Sequence, residues 1–337
     1  MFACPWIVNA TACGGKRVFK LDRPIKLKER PNDILTMGEL LIDMISEAYD
    51  DMVDCNTYNR FLGGSAANLA LNMKKLGLRP LVASAVGRDG FGAFLLRHLK
   101  REGIPTDHIQ LTDESTSMVV ITKSRSTPRP IFYRGADFRL NFTPDLADAV
   151  KQSRIVHFSC WPISREPARS AVEQAIDLAK SEGALVGFDP NYHPAIWSKD
   201  EDGAAYVKSI IHRADVIKPS KDDADRLFGT DSPENHLARF LDLGAKLVIF
   251  TMGADGILVS NGAETLRLDS VATEVVDVTG AGDAFWAGFY AGLVRGLPLI
   301  GAVEFGMEVS AYKLRHLGPV SRYPKEYRLA EISHGGE

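Results

Sequence analysis

Residues 276–289 read VDVTGAGDAFWAGF, with two aspartates and two of the three glycines ahead of an apolar stretch. The simplest account is a loop that turns on glycine, which reaches φ > 0 without steric cost, followed by an Asp that caps the next helix. The same geometry supports a second reading. Small residues at Gly280, Ala281 and Gly282 leave backbone N–H groups uncovered at a helix N-terminus, where the helix dipole adds partial positive charge. Such a place attracts phosphate. Asp283 would repel that anion unless a cation or a proton transfer gives its carboxylate a role.

Around this stretch lies an ordinary globular chain of 337 residues, 45% hydrophobic and 25% charged, with a net charge of -3. It can bury one large α/β core or two smaller ones. Its charge balance draws it neither to nucleic acid nor to an anionic membrane, so its partners are expected to be small molecules. No run of 18 or more apolar residues suggests a membrane span. Cysteines at 4, 13, 55 and 160 show neither CxxC nor zinc-finger spacing, which fits a reducing cytoplasm. Residues 1–32, ending in the basic, Pro-punctuated KLDRPIKLKERPND, are expected to be a loosely attached, disordered extension before a domain over 33–330.

From Asp33 onward short apolar runs alternate with amphipathic stretches. ILTMGELLIDMI opens as a strand, ANLALNMKKLG reads as a helix closed by Gly77, PLVASAVG as a strand, and GAFLLRHLKREG as a helix ending in Gly103. RIVHFS, ALVGFD, ADVIKP and KLVIFTMG are further buried-strand candidates, separated by helical PARSAVEQAIDLAKSEG and ENHLARFLDLG. This is the rhythm of a doubly wound, mostly parallel sheet flanked by helices. Residues 45–62 and 114–135 break it with short alternating strands and polar turns. They are expected to form a small sheet placed as a lid, ordinary long hairpins being the alternative.

Several phosphate-handling devices are missing: a GxxxxGK[ST] loop, the protein-kinase HRD and DFG set, and a Rossmann GxGxxG, which GRDGFG at 87–92 does not match. What remains is a series of glycine and polar clusters at strand ends, where open α/β sheets bind ligands: Gly38, Glu39 and Asp43; GGSAAN at 63–68; DPN at 189–191; and DVTGAGD. The ordered set GGSAANLALNMKKLG, VGRDGFG, FDPN, FTMGADG and DVTGAGDAFWAGF resembles the ribokinase-like, or PfkB-type, carbohydrate kinases over about residues 34–323.

That resemblance implies a ribokinase-like fold and an ATP- and Mg²⁺-dependent transfer of the γ-phosphate to a sugar hydroxyl. Asp283 would be the base, and the amides of Gly280, Ala281 and Gly282 the anion hole. Asp43, Gly63, Gly64 and Asn68 match sugar-binding positions, which suits a polyol whose paired hydroxyls engage a carboxylate or amide. Thr251, Gly253 and Gly256, with Ser220, match the nucleotide side, although a hairpin turn explains the two glycines nearly as well. Asp277, Thr279 and Gly318 match positions around a monovalent cation such as K⁺, with helix capping as the alternative. An Asn-x-x-Glu element that organises Mg²⁺ in relatives is replaced by Ser220 and Asp223, so Asp223 is the expected indirect Mg²⁺ ligand. Met307 stands where Asn often lies near adenine.

For the substrate, RPIFYRGADFRL resembles the fructokinase branch, with Tyr133 and Arg134 expected to point from the lid into the sugar site. His193 replaces an Arg that could pair with a substrate carboxylate, which favours a neutral sugar. The expectation is phosphorylation of fructose to fructose 6-phosphate. A kinase of 2-keto-3-deoxygluconate or a related keto-acid sugar is the alternative within the class, and a non-catalytic sugar or nucleotide sensor outside it. Exposed lid edges suggest a homodimer.

Overall fold

The computed structural model describes residues 19–49, 54–123, 130–318, 320 and 322–328. Residues 1–18 of the expected extension, with Cys4 and Cys13, and the tips 50–53 and 124–129 of the expected lid stretches lie outside the described residues. The first half of the chain supplies strands Asn32–Met37 (β1), Leu41–Tyr49 (β2), Tyr58–Gly63 (β3), Pro80–Gly87 (β4), Ile109–Thr112 (β5), Met118–Lys123 (β6), Ile131–Tyr133 (β7) and Ser153–Ser159 (β8). Its helices are Ser65–Lys75 (α1), Gly90–Arg101 (α2), Pro144–Lys151 (α3) and Cys160–Ile163 (α4). The second half adds strands Leu185–Asp189 (β9), Val216–Ile217 (β10), Val248–Thr251 (β11), Ile257–Ser260 (β12) and Thr265–Leu268 (β13). Helices Ala168–Glu182 (α5), Gly203–Ile210 (α6), Lys221–Phe228 (α7), Pro233–Asp242 (α8), Ala281–Val294 (α9) and Leu299–Leu314 (α10) complete it.

Nine strands form the main sheet in the order β13-β12-β11-β10-β9-β8-β1-β4-β5, parallel from β11 to β5. Its central strands read as continuous apolar runs because both faces are covered. Ile34 and Ile155 enter the core beneath α1, α9 and α10, whereas their neighbours Leu35 and Val156 enter the core on the α5 and α8 side. That alternation is the period-2 geometry of a strand. From β1 the chain crosses to β4 on one side and only later to β8 on the other, so the strand order reverses there. Beyond the C-terminal ends of strands at such a reversal lies the ligand crevice of an open sheet.

The lid is a separate four-stranded sheet, β3-β2-β6-β7. It begins earlier than expected, at Leu41, only three residues after β1 ends, so the floor of the crevice and its cover are one continuous piece of chain. Register places Phe61, Asp43, Val119 and Phe132 in one row across one lid face. Phe132 closes the row against Trp161 and His193, with ring centroids at 5.5 and 5.3 Å.

Residues 19–32 correct the expectation of a loose extension. Phe19 and Leu21 are buried among the side chains of α9 and α10. The carbonyls of Leu21 and Arg23 accept from the amides of Ile300 and Leu299, at 2.9 and 3.0 Å, and so satisfy two donors that the start of α10 cannot satisfy itself. Asn261 donates its side-chain amide to the Phe19 carbonyl at 2.6 Å. A proline-punctuated, basic sequence gives no periodicity from which this docking could be read. Leu21→Ala is expected to lower stability by about 2–5 kcal/mol in urea unfolding. An unchanged midpoint and slope would show that the segment contributes nothing.

Candidate active site

The N-termini of α1 and α9 converge beyond the end of β1. Gly64, at φ 99°, leads into α1, and a side chain there would run into the carbonyl of Glu39. Glu39 follows β1 and is buried, with Oε1 accepting from the Ser65 amide at 2.9 Å and Oε2 without a partner. Ser65 in turn donates its hydroxyl to Oδ1 of Asp283 at 2.7 Å, across 218 residues of sequence. Asn68, one turn further along α1, also acts to lower the Asp283 carboxyl. On the lid side a Cβ at Gly63 would overlap the carboxylate of Asp43, so the glycine there makes room for that group. Asp43 itself is the lid's only acidic residue in the row that Phe61, Val119 and Phe132 complete.

Gly280 caps α9 at φ 75°, a left-handed conformation that favours glycine. Among the three expected anion-hole amides, that of Ala281 is already engaged, donating to the Val278 carbonyl at 3.2 Å. Of the expected three, this leaves the amides of the half-buried Gly280 and the exposed Gly282. A residue absent from the sequence reading joins them: Lys218, buried after β10, whose Nζ lies 3.5 Å from where a Gly282 side chain would begin. Lys218 is held by Asp189 at 3.2 Å, and Asp189 also accepts from the Trp286 indole at 2.8 Å. The site thus sets a carboxylate, Asp283, at the end of a helix whose amides and neighbouring ammonium attract an anion.

Burial raises Asp283 to about 7, and the Asp189 charge adds to the rise, while the Ser65 hydrogen bond, the Lys218 charge and Asn68 oppose it. Burial likewise raises Glu39 to about 7 and Asp43 to about 6. A carboxylate poised near neutrality beside a phosphate-binding helix end can take a proton from a hydroxyl and give it up again.

Other expected residues fall into place differently. Arg134 is almost fully buried and its guanidinium donates to Asp137, the Ser164 hydroxyl and the carbonyls of Ile196 and Trp161, while lying 4.7 Å over the Trp161 ring. Asp137 also accepts from Ser117 and the Trp161 indole, so the pair is embedded in a buried hydrogen-bond network. The side chain of Tyr133 is exposed on β7. Ser220 and Asp223 form a capping box at α7, and Asp223 accepts from the Tyr192 amide as well, so both its oxygens are engaged. Gly256 is a hairpin glycine, since a side chain there would meet the Leu268 carbonyl. Gly253 is exposed beside it, and Thr251 pairs with Ser220 across a β-bridge, which keeps these two at the same strand ends as α9. Met307 is buried in the core under α9. His193 caps a local turn by accepting from the Ala195 amide.

Asp277, Thr279 and Gly318 do converge. The Asp277 carboxylate accepts from the amides of Thr279 and Gly318, each at 2.9 Å, and from the ammonium of Lys313, also at 2.9 Å. The place expected for a monovalent cation is filled by a side chain.

Fold and site together define a phosphoryl-transfer enzyme of the sugar-kinase class, and the chain belongs to the pfkB family of carbohydrate kinases, whose description matches residues 31–326. Its architecture is the ribokinase-like α/β fold. It is 52% identical over 307 residues to an ATP-dependent 6-phosphofructokinase of Thermoanaerobacterium thermosaccharolyticum, covering 91% of this chain and 95% of the relative. A 5-dehydro-2-deoxygluconokinase of Geobacillus kaustophilus is 31% identical, with 83% and 87% covered. The solved structure of Halothermothrix orenii fructokinase superposes with a TM-score of 0.75 at 39% identity, covering 82% of this chain and 98% of that one.

A carboxylate serves as a base only when ionised, so with Asp283 in that expected role kcat/KM should rise with pH through about 7 and level off above it. Asp283→Asn should lower kcat by at least about 100-fold and abolish that limb. A pH profile unchanged in the variant would remove Asp283 from proton transfer. The same raised value means that Asp283 favours the folded state below the ordinary carboxylate range and loses that contribution as the pH climbs through about 7.

Proposed function

We propose that this chain transfers the γ-phosphoryl group of Mg·ATP to a primary hydroxyl of a fructose-type sugar, with fructose 6-phosphate preferred over free fructose. The observation that carries the chemistry is the Ser65–Asp283 contact at the mouth of the α9 anion site. In this reading the sugar lies along the lid row of Asp43 and Phe61, with its acceptor hydroxyl at Asp283. The γ-phosphoryl oxygens meet the amides of Gly280 and Gly282 and the Lys218 charge. Phosphoryl transfer is loose, so positioning and charge stabilisation dominate and the carboxylate takes its proton late. A sensor that only bound sugar or nucleotide would have no use for a base held in this way.

Among the described residues no cluster of three or more His, Cys, Asp or Glu side chains could hold a metal. The capping role of Asp223 fits this: the metal enters with the nucleotide, held by its phosphates as part of the substrate. Thr251 and Gly253 flank the nucleotide side.

For the sugar, the 52% identity to a 6-phosphofructokinase favours a substrate that already carries a phosphate. Arg165 supports it. This guanidinium forms no ion pair among the described residues, and its Nε is buried without a partner. It lines an opening at the lid's outer edge with Phe132 and Tyr133. A keto-acid sugar is disfavoured at Arg134, whose donors are committed to Asp137 and its neighbours. With fructose 6-phosphate the remaining primary hydroxyl is at C1, and the product is fructose 1,6-bisphosphate. Free fructose, giving fructose 6-phosphate, is the second reading, favoured by the fructokinase likeness.

ADP release from Mg·ATP, measured across fructose 6-phosphate, fructose and 2-keto-3-deoxygluconate, should give the highest kcat/KM with fructose 6-phosphate. Arg165→Met should raise KM for that sugar by about tenfold or more and leave KM for fructose in place. A higher kcat/KM on fructose would reverse the order, and preference for the acid would overturn it. The exposed Tyr49 and Ile131 on the lid support packing of two copies through it. Light scattering should then give twice the monomer mass, and a monomer would refute the pairing.

A further inference from the structure

Lys313 has no part in the proposed transfer, yet it is among the most buried charges of the molecule, at 4% exposed. It stands in the last turn of α10 and points into the loop that precedes α9. Its ammonium carries three N–H donors and meets three oxygens: Asp277 Oδ2 at 2.9 Å, the Asp277 carbonyl at 3.1 Å and the His316 carbonyl at 3.1 Å. Two carbonyls and a carboxylate converging on one point, from two segments of chain, form the donor set of a monovalent cation. The amides of Val276 and Asp277 both donate to the Leu314 carbonyl, at 2.8 and 3.2 Å, so the same loop is also tied to α10 by its backbone. Gly280, with its anion-binding amide, follows three residues later.

We propose that the ammonium of Lys313 is a covalently tethered replacement for a monovalent cation, which holds the turn of residues 277–280 in register with α10 and makes the enzyme independent of K⁺. A free K⁺ does not fit here, because Lys313 already occupies the convergence of the oxygens. Lys313 is thus a positioning residue: it reaches the phosphate only through the geometry of Asp277, Thr279 and Gly280. Burial pushes the Asp277 carboxyl up, but Lys313 and the amides of Thr279 and Gly318 outweigh it and hold the group below its ordinary value. Loss of the ammonium would leave that carboxylate and two carbonyls facing one another without a cation.

The test compares the purified protein with Lys313→Met in chloride buffers of equal ionic strength containing K⁺, NH₄⁺, Na⁺ or N-methylglucamine. The unaltered protein is expected to show one melting temperature and one rate in all four. Lys313→Met should melt lower in N-methylglucamine and recover saturably in K⁺ or NH₄⁺. Its kcat should fall by at least about tenfold and be restored by the same ions. Activation of the unaltered protein by K⁺ would overturn the proposal. So would a variant whose melting temperature does not distinguish K⁺ from N-methylglucamine. If the variant folds in no buffer, the cation response of the unaltered protein decides alone. The melting arm needs no sugar, so it stands or falls separately from the assignment of the substrate.

Discussion

The hydrogen bond from Ser65 to Asp283 is the constraint on which the site depends. It joins the first turn of α1 to the first turn of α9 at 2.7 Å, and each helix brings a different half of the chemistry. Behind α1 stand β1 and the lid, with Asp43 and Gly63, the residues proposed to face the sugar. At the start of α9 lie Gly280 and Gly282, the residues proposed to meet the phosphoryl group, with Lys218 beside them. A displacement of either helix by an ångström would part Ser65 from Asp283, and in the proposed transfer positional errors of that size weigh heavily on catalysis.

The packing explains how so polar a junction is held. α9 is apolar on every side and buried between the sheet and α10, with Trp286, Phe289 and Tyr290 fully enclosed. Gly288 and Gly306 sit where the backbones of α9 and α10 pass so closely that added side chains would press on the opposite helix. The tight seam fixes the direction of α9, and with it the direction of its dipole. The same core receives Phe19 and Leu21, so a segment far from the chemistry helps anchor the helix that carries it.

Charge in this interior is organised by pairing. Lys218 answers Asp189, Lys313 answers Asp277, and Arg134 answers Asp137, each pair nearly removed from solvent. A buried ion pair adds little net stability but punishes the loss of either partner, and so fixes geometry. Glu39, Asp43, Asp223 and Asp283 stand outside this pairing. Among the described residues none of these carboxylates has an ion-pair partner, and burial pushes each of them up.

The sequence by itself determined the alternating strands and helices, the two interruptions that become the lid, and the cluster of Asp283, Asn68, Gly64 and Asp43. These were legible because period-2 and period-3.6 patterns, helix-terminal glycines and the phosphate chemistry of a helix end are local properties of a chain. Tertiary structure alone decided which partners those residues meet. Arg134 read as a substrate ligand until Asp137 and Ser164 were brought round it, and Asp223 read as a metal organiser until it closed a cap with Ser220. Lys218 and Lys313 gave no signal, because a lysine beside a strand or in the last turn of a helix is ordinarily a solvated charge. What makes them different is burial against oxygens from distant segments, and the energy of a buried charge is set by its surroundings in space, which no local pattern records.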